Sequence, residues 1–393
     1  MQIWLLELYA LLLALLQSAG GVRTDEAKYL LSIPYPHPPL LRSLFASIAA
    51  LPGQEFFWRF VIASAMTQAV WLLMDIGYVL SPLRRITLVV SWLLSTALVL
   101  QAGTVMLAPL TGLFGLLCVV LALRPKPISA TSAPLLGCLW FLGLFSAYQC
   151  VLYLPLLVGV LRSAHVSWKK IFLFLGFPLL LLAIYTLTNP LALASMLKVG
   201  SQDAPLALFL RLSNVLWICV IAGSGLLTLI GMFGVLTSGR MDLLLTMFLL
   251  LAYIFLSSQQ YYAILLTPIL VAGMMTLLVR RKVSGQIFLP VHIMLTAVFV
   301  FLTFPDMHPT AARATMRFLD AQGITRFVLI DGPFGHEWQY ESTGSVGRFT
   351  QTLSSSVEAH AQAIVCTKKT CEEDVGEEWK RMQGAPGEVW VRR

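Results

Sequence analysis

Residues 135–163, LLGCLWFLGLFSAYQCVLYLPLLVGVLRS, are apolar almost throughout and carry a single charge, Arg162. A helix that crosses a membrane needs about 20 apolar residues, so this run is either one long span or a hairpin of two short ones turning near Gln149. The choice sets the side of the membrane on which every later loop falls. Short cytoplasmic loops are enriched in Lys and Arg. With a hairpin, Arg84, Arg85, Arg124, Lys126, Arg162, Lys169, Lys170, Arg240, Arg280, Arg281 and Lys282 gather on the cytoplasmic side, leaving Arg23, Lys28, Arg42, Arg59, Lys198 and Arg211 outside. With one span, the Arg162–Lys170 and Arg280–Lys282 clusters both move outside, against the rule. The hairpin is therefore adopted. It puts the segment around Asp25 and the C-terminal tail on the same, non-cytoplasmic side.

The flanking sequence is of the same kind. Of 393 residues, 58% are hydrophobic and 12% charged, with a mean hydropathy of +0.80; soluble domains carry about 25% charged residues. Apolar runs at 3–20, 58–80, 86–102, 105–123, 170–188, 213–236, 241–257, 260–279 and 286–304 join the hairpin to make about eleven spans. The expectation is an α-helical polytopic membrane module over residues 1–304. The first run could be read as a signal peptide, but no positive region precedes it and Glu7 interrupts it, so an uncleaved helix is expected. The net charge of +8 lies largely in short loops, where topology needs it, and gives no argument for nucleic acid.

From residue 305 onward charged, Gly, Ser and Thr residues return at the density of a soluble chain. Residues 305–393 read as a small α/β domain: a helix over 309–323, strands at 326–331, 363–366 and 388–391, and a second helix over 372–382. Gly332 to Gly335 reads as a turn. Cys118, Cys138, Cys150 and Cys219 lie in apolar runs as small buried residues. Cys366 and Cys371, in CTKKTC, are the candidate disulfide of a non-cytoplasmic tail, with free thiols as the alternative. A zinc site there has only His336 and His360 to complete it.

The segment TDEAKYLLSIPYPHPPLL, residues 24–41, is what the module is expected to hold. Asp25 and Glu26 follow the first apolar run directly, and a carboxylate at the mouth of a span is costly unless it faces water or a polar cavity. Pro34 to Pro39 cannot be ordinary helix, because proline fixes φ and pushes its predecessor into extended geometry. His37 is thereby held in a stiff elbow.

These residues carry a resemblance. An Asp-Glu pair just beyond the first helix, Tyr29, and the run Tyr35 to Leu40 resemble the first outer loop of the membrane-embedded GT-C glycosyltransferases. The branch is the family 39-like one of the protein O-mannosyltransferases and lipid A aminoarabinose transferases. Trp58-Arg59-Phe60, Gly143-Leu144 with Gln149 and Leu154-Pro155, and SSQQYYAILLTP over 257–268 are similar to further family segments. Gln149 stands where relatives have a Lys. Ala108-Pro109-Leu110 stands where they often have an acid, so no metal or second-carboxylate role carries over to that position.

The resemblance implies transfer of a sugar from a polyprenyl-phosphate donor to an acceptor hydroxyl of a glycolipid, glycan or protein, at the outer face of a bacterial inner or plasma membrane. The catalytic loop is expected over 19–57, with no cofactor and no supported divalent metal. Asp25 is the candidate general base, a role that contributes about 10² to 10⁴ in rate. Glu26 orients a basic group or binds acceptor; the competing reading is that both acids cap the following helix. The leaving phosphate needs fixed positive charge, for which Lys28, Arg42 and Arg59 are candidates, followed by His37, Lys198 and Arg211. Tyr29, Tyr35, Tyr261 and Tyr262 either stack on the sugar or belong to the interfacial aromatic belt. No DxD-like motif, P-loop or dinucleotide fingerprint is present, which argues against a nucleotide-sugar donor. The alternatives are a degenerate transferase, a transporter of a lipid-linked precursor, or a scaffold presenting the tail.

Overall fold

The computed structural model describes residues 3–33, 36–48, 51–125, 128–198, 208–257, 259–280, 282–303, 311–330, 335–342, 346–350, 361–366, 375 and 378–392. The chain divides into two compact units. One comprises Met1–Leu15 with Pro34–Pro305, and the other Leu16–Ile33 with Asp306–Arg393. The residue 304/305 boundary read from composition is thus joined by a second feature: the segment bearing Asp25 clusters with the tail.

The first unit is helical. Among the described residues, five helices are long and apolar enough to cross a membrane: Ile3–Gly20, Gln54–Val79, Trp168–Thr188, Gln260–Val279 and Gly285–Thr303. A sixth is obtained if Leu208–Gly223 and Leu226–Ser238 count as one span bent by 95°. Leu107–Leu123, Ala130–Ser146, Tyr148–Ser163 and Met241–Ser257 are shorter apolar helices. The chain is accordingly a helical protein of membrane character. At Ala147 the backbone is extended (φ −154°, ψ 131°), which ends one helix and starts the next where the hairpin reading puts its turn.

Helix packing in this unit uses small residues, because without a solvent-driven hydrophobic effect helices associate through close van der Waals contact. The Leu226–Ser238 helix crosses the Ala263–Val279 helix at Gly231, Gly234 and Gly273. A Cβ on Gly231 would stand 2.6 Å from the Leu270 carbonyl oxygen, and one on Gly234 would collide with the backbone of Gly273. Glu7 is satisfied by a neighbouring helix: Ser64 Oγ donates to it at 2.7 Å and Gln68 Nε2 at 2.6 Å.

The run 213–236, expected as one straight span, is broken. Ser224 and Gly225 adopt positive φ (53° and 69°), which a continuing right-handed helix does not allow. The freed groups are re-satisfied by side chains, as a membrane interior requires. Ser224 Oγ accepts the Thr96 N–H at 3.1 Å and lies 2.7 Å from Thr296 Oγ1, which donates to the Leu94 carbonyl at 2.6 Å. The run 86–102 is interrupted at the same place, between Pro82–Leu93 and Thr96–Gln101. One turn before Thr296, His292 is fully buried against Phe288 (ring centroids 5.0 Å), and neither ring nitrogen has a hydrogen-bond partner among the described residues.

The second unit is built on a five-stranded sheet: β1 (Arg326–Ile330), β2 (Val346–Thr350), β3 (Ala363–Cys366), β4 (Trp379–Arg381) and β5 (Glu388–Arg392), in the order β2-β1-β3-β5-β4. β1 is parallel to both β2 and β3, whereas β5 runs antiparallel to β3 and β4. The period-two alternation of side chains sends Phe327, Leu329, Ala363, Val365 and Val389 to one face. There they pack on Ala312, Met316 and Leu319 of the Ala311–Ala321 helix and on Trp338. Val328, Ile330, Ile364 and Cys366 face the other way with Trp379. The Ala311–Ala321 helix stops at Gly323 (φ 69°), with Ile324 N–H reaching back to the Leu319 carbonyl at 2.9 Å, a Schellman closure. Of the helix read over 372–382, residues 372–374, 376 and 377 lie outside the described residues, and Trp379–Arg381 is instead an edge strand, because its pairing with β5 overrides the helical propensity of a short Glu- and Lys-rich stretch.

Candidate functional site

In the second unit, Thr24–Leu30 forms a short helix that begins after Arg23. Glu26 is 1% exposed, and its Oε2 accepts the Arg23 N–H at 2.9 Å, so its carboxylate reaches back to satisfy a backbone N–H at the helix start. Asp25, one residue earlier and on another face, keeps a side chain 27% exposed and accepts from Lys28 Nζ at 3.0 Å. Lys28 is thus the partner of the candidate base. Tyr29 is buried at 4% exposure and belongs to the packing.

What anchors this segment is a pair that sequence reading did not find. Arg313 donates to Glu341 through Nε (3.0 Å to each oxygen) and Nη2 (2.9 Å), with side chains 10% and 9% exposed. Glu341 Oε1 also accepts the Val22 N–H at 3.1 Å, and Arg313 Nη1 donates to the Ser18 carbonyl. The two residues lie 28 positions apart on different helices, and no local pattern links them.

In the first unit the proline elbow is held by tyrosines. Tyr148 donates its hydroxyl to the Pro36 carbonyl at 2.6 Å, and its ring lies 5.5 Å from that of His37. The Tyr185 hydroxyl lies 3.5 Å from the His37 carbonyl and accepts from Asn189 Nδ2 at 2.9 Å. Pro38 has φ −54° and ψ 147°, and Pro39 opens the Pro39–Ala46 helix at its first position, where its missing N–H costs nothing. That helix buries Leu41 and Phe45, carries Arg42 half-buried, and is pinned by Trp58 Nε1 donating to the Phe45 carbonyl at 3.0 Å.

Arg59 is fully buried. Its Nε donates to Glu55 Oε1 at 2.8 Å and its Nη1 to the Gly103 carbonyl at 3.0 Å. Its charge is therefore engaged in an internal ion pair rather than presented at a surface. The signal for Glu55 was its spacing of four from Arg59 along a helix. Gln149 Nε2 donates to the Tyr253 hydroxyl at 3.0 Å, and Tyr253 and Tyr261 each stand edge-on to Tyr262, at 4.8 and 4.5 Å between centroids. The structure thus gathers Gln149, Tyr261 and Tyr262 into one cluster, with Tyr253 as the member the sequence did not suggest. Arg211 lies over the Phe255 ring at 6.0 Å.

Beside the elbow lies an apolar cavity of about 390 Å³, bounded by Leu41, Leu113, Phe114, Leu142, Ser146 and Cys150. Leu41 follows the elbow directly, while Ser146 and Cys150 flank Tyr148 in sequence. Thr111 and Ser146 bring the only hydroxyls among the described lining residues, and the wall is otherwise oily.

Tyr35 and Cys371 lie outside the described residues, as does the side chain of Lys198. Cys366 is disulfide-bonded, while Cys118, Cys138, Cys150 and Cys219 are free. Among the described residues no group of three His, Cys, Asp or Glu side chains gathers to hold a metal ion. No protein-family model matches the chain, and neither a curated protein nor a solved structure matches it.

Proposed function

We propose that the chain is an integral membrane glycosyltransferase of GT-C type, with about eleven spans, that moves a sugar from a polyprenyl-phosphate donor to an acceptor hydroxyl on the outer face of the membrane. The observation that carries this reading is the 390 Å³ apolar cavity beside the Pro36–His37 elbow. A donor with a prenyl tail needs such an oily wall close in sequence to polar groups that can meet its phosphorylated sugar head. Asp25 is assigned as general base, since its carboxylate is partly open to solvent while that of Glu26 is consumed by the cap. Lys28, which donates to Asp25 at 3.0 Å, adds positive charge for the departing phosphate. Arg59 is assigned a supporting role through its ion pair with Glu55.

A second reading, transport of a lipid-linked precursor, is favoured by one observation. Two interrupted helices meet at Ser224 and Thr96, beside Thr296 of a third, continuous helix that also carries the buried His292, and discontinuous spans of this kind line substrate paths in transporters.

One experiment separates the two. Purified protein in vesicles receives a radiolabelled polyprenyl-phosphate hexose. Transfer predicts release of polyprenyl phosphate and loss of about 10² to 10⁴ in rate for Asp25→Asn. Movement of intact donor between leaflets, with the same rate in Asp25→Asn, would replace the transferase reading by transport.

A further inference from the structure

A second apolar groove, of about 610 Å³, runs between the Leu226–Ser238 and Gly285–Thr303 helices, with Leu226, Ile230, Phe233, Ile287 and Val291 along its walls. It is open along its length, and the walls include side chains that are strongly exposed, such as Ile287 at 70% and Phe233 at 53%. At one end the lining changes: Lys282, itself exposed, closes the groove with Ser284. Among the described residues, Lys282 is the only charged one in the lining. Arg280, two positions earlier, is occupied elsewhere, donating to the Thr237 carbonyl at 2.5 Å and to that of Ser238 at 3.3 Å. An elongated oily trough that ends on one ammonium has the polarity of a phospholipid with an anionic head.

We infer that this groove is a binding site for an anionic glycerophospholipid, its acyl chain against Ile230, Phe233 and Ile287 and its phosphate on Lys282 Nζ. Charge complementarity selects the lipid class. A zwitterionic head brings a cation of its own to the same ammonium, so the net attraction is smaller, whereas a net negative head keeps it in full. A Lys at the membrane surface contributes attraction of the order of a fivefold change in affinity. The Lys and Arg asymmetry of the loops assigns this end to the cytoplasmic leaflet, where anionic lipids are plentiful. The site lies on helices that carry none of the proposed transfer chemistry, so it stands or falls independently of the transferase reading.

The test uses the full chain, purified and loaded from mixed micelles containing phosphatidylglycerol and phosphatidylcholine with identical acyl chains. Lipid retention is then read by native mass spectrometry. Wild type is expected to retain phosphatidylglycerol about fivefold over phosphatidylcholine, Lys282→Arg to keep that preference, and Lys282→Gln to abolish it. Ile287→Trp, which fills the trough, is expected to reduce retention of both lipids. Equal retention by wild type, or an unchanged preference in Lys282→Gln, overturns the assignment. Displacement of phosphatidylglycerol by undecaprenyl phosphate at equal concentration also overturns it, since the groove would then belong to a prenyl lipid.

Discussion

Replacing Arg313 by Leu tests how the Asp25 segment is held. The guanidinium and the Glu341 carboxylate are each about nine-tenths buried, and their three contacts of 2.9 to 3.0 Å are accompanied by a bond to the Ser18 carbonyl. Removing one partner strands a buried charge, which costs about 3 kcal/mol at the lower end of measured cases. Removing both, in Arg313→Leu with Glu341→Leu, eliminates the stranded charge and leaves the Val22 N–H without Glu341, while the Ser18 carbonyl still accepts from the Gly21 N–H at 3.4 Å, a cost of about 1 kcal/mol. Backbone hydrogen exchange in the Thr24–Leu30 helix reports opening of this segment directly. The single variant should exchange about a hundredfold faster than wild type, and the double variant within about tenfold of it, since each 1.4 kcal/mol is a factor of ten. A single variant exchanging at the wild-type rate, or a double variant as fast as the single one, refutes the claim that this ion pair fixes the segment.

Other expectations follow from particular contacts. Gly234→Leu drives a side chain into the backbone of Gly273 and should abolish recovery of monodisperse protein in detergent, whereas Gly239→Ala, with open space around the added Cβ, should be recovered in reduced but measurable yield. Leu113→Trp narrows the 390 Å³ cavity and should raise the donor KM with little change in kcat, because the tail contributes equally to ground and transition states; an unchanged KM removes the cavity from the donor path. Single cysteines at His165 and Val283 should both be labelled from the cytoplasmic side, and labelling from opposite sides would dismiss the hairpin at 135–163.

Much of this architecture is local and so was readable. Apolar runs report spans because the bilayer demands internal backbone pairing over a known thickness, and strands β1, β3 and β5 lie where short β-branched runs stand in the tail. The proline elbow was legible too, since proline constrains φ whatever surrounds it. Charge sign and loop length give an expected orientation that draws on no packing.

What escaped depends on partners far away in the chain. Arg59 reads as a cation awaiting a phosphate until its depth and its bond to the Gly103 carbonyl are known. For Glu26 the sequence left two roles open, orienting a basic group or capping, and the bond it accepts from the Arg23 N–H is one that only the fold displays. The apolar run over 213–236 gives no sign of a 95° bend, because hydropathy records composition and not direction. Residues 16–33 begin with the end of a membrane helix yet cluster with the tail, and Ser18 and Val22 bond there to an Arg313–Glu341 pair that no periodicity encodes. Hydrophobic period and backbone stereochemistry act between neighbours along the chain; buried charges are assigned by whichever distant group folding brings within reach.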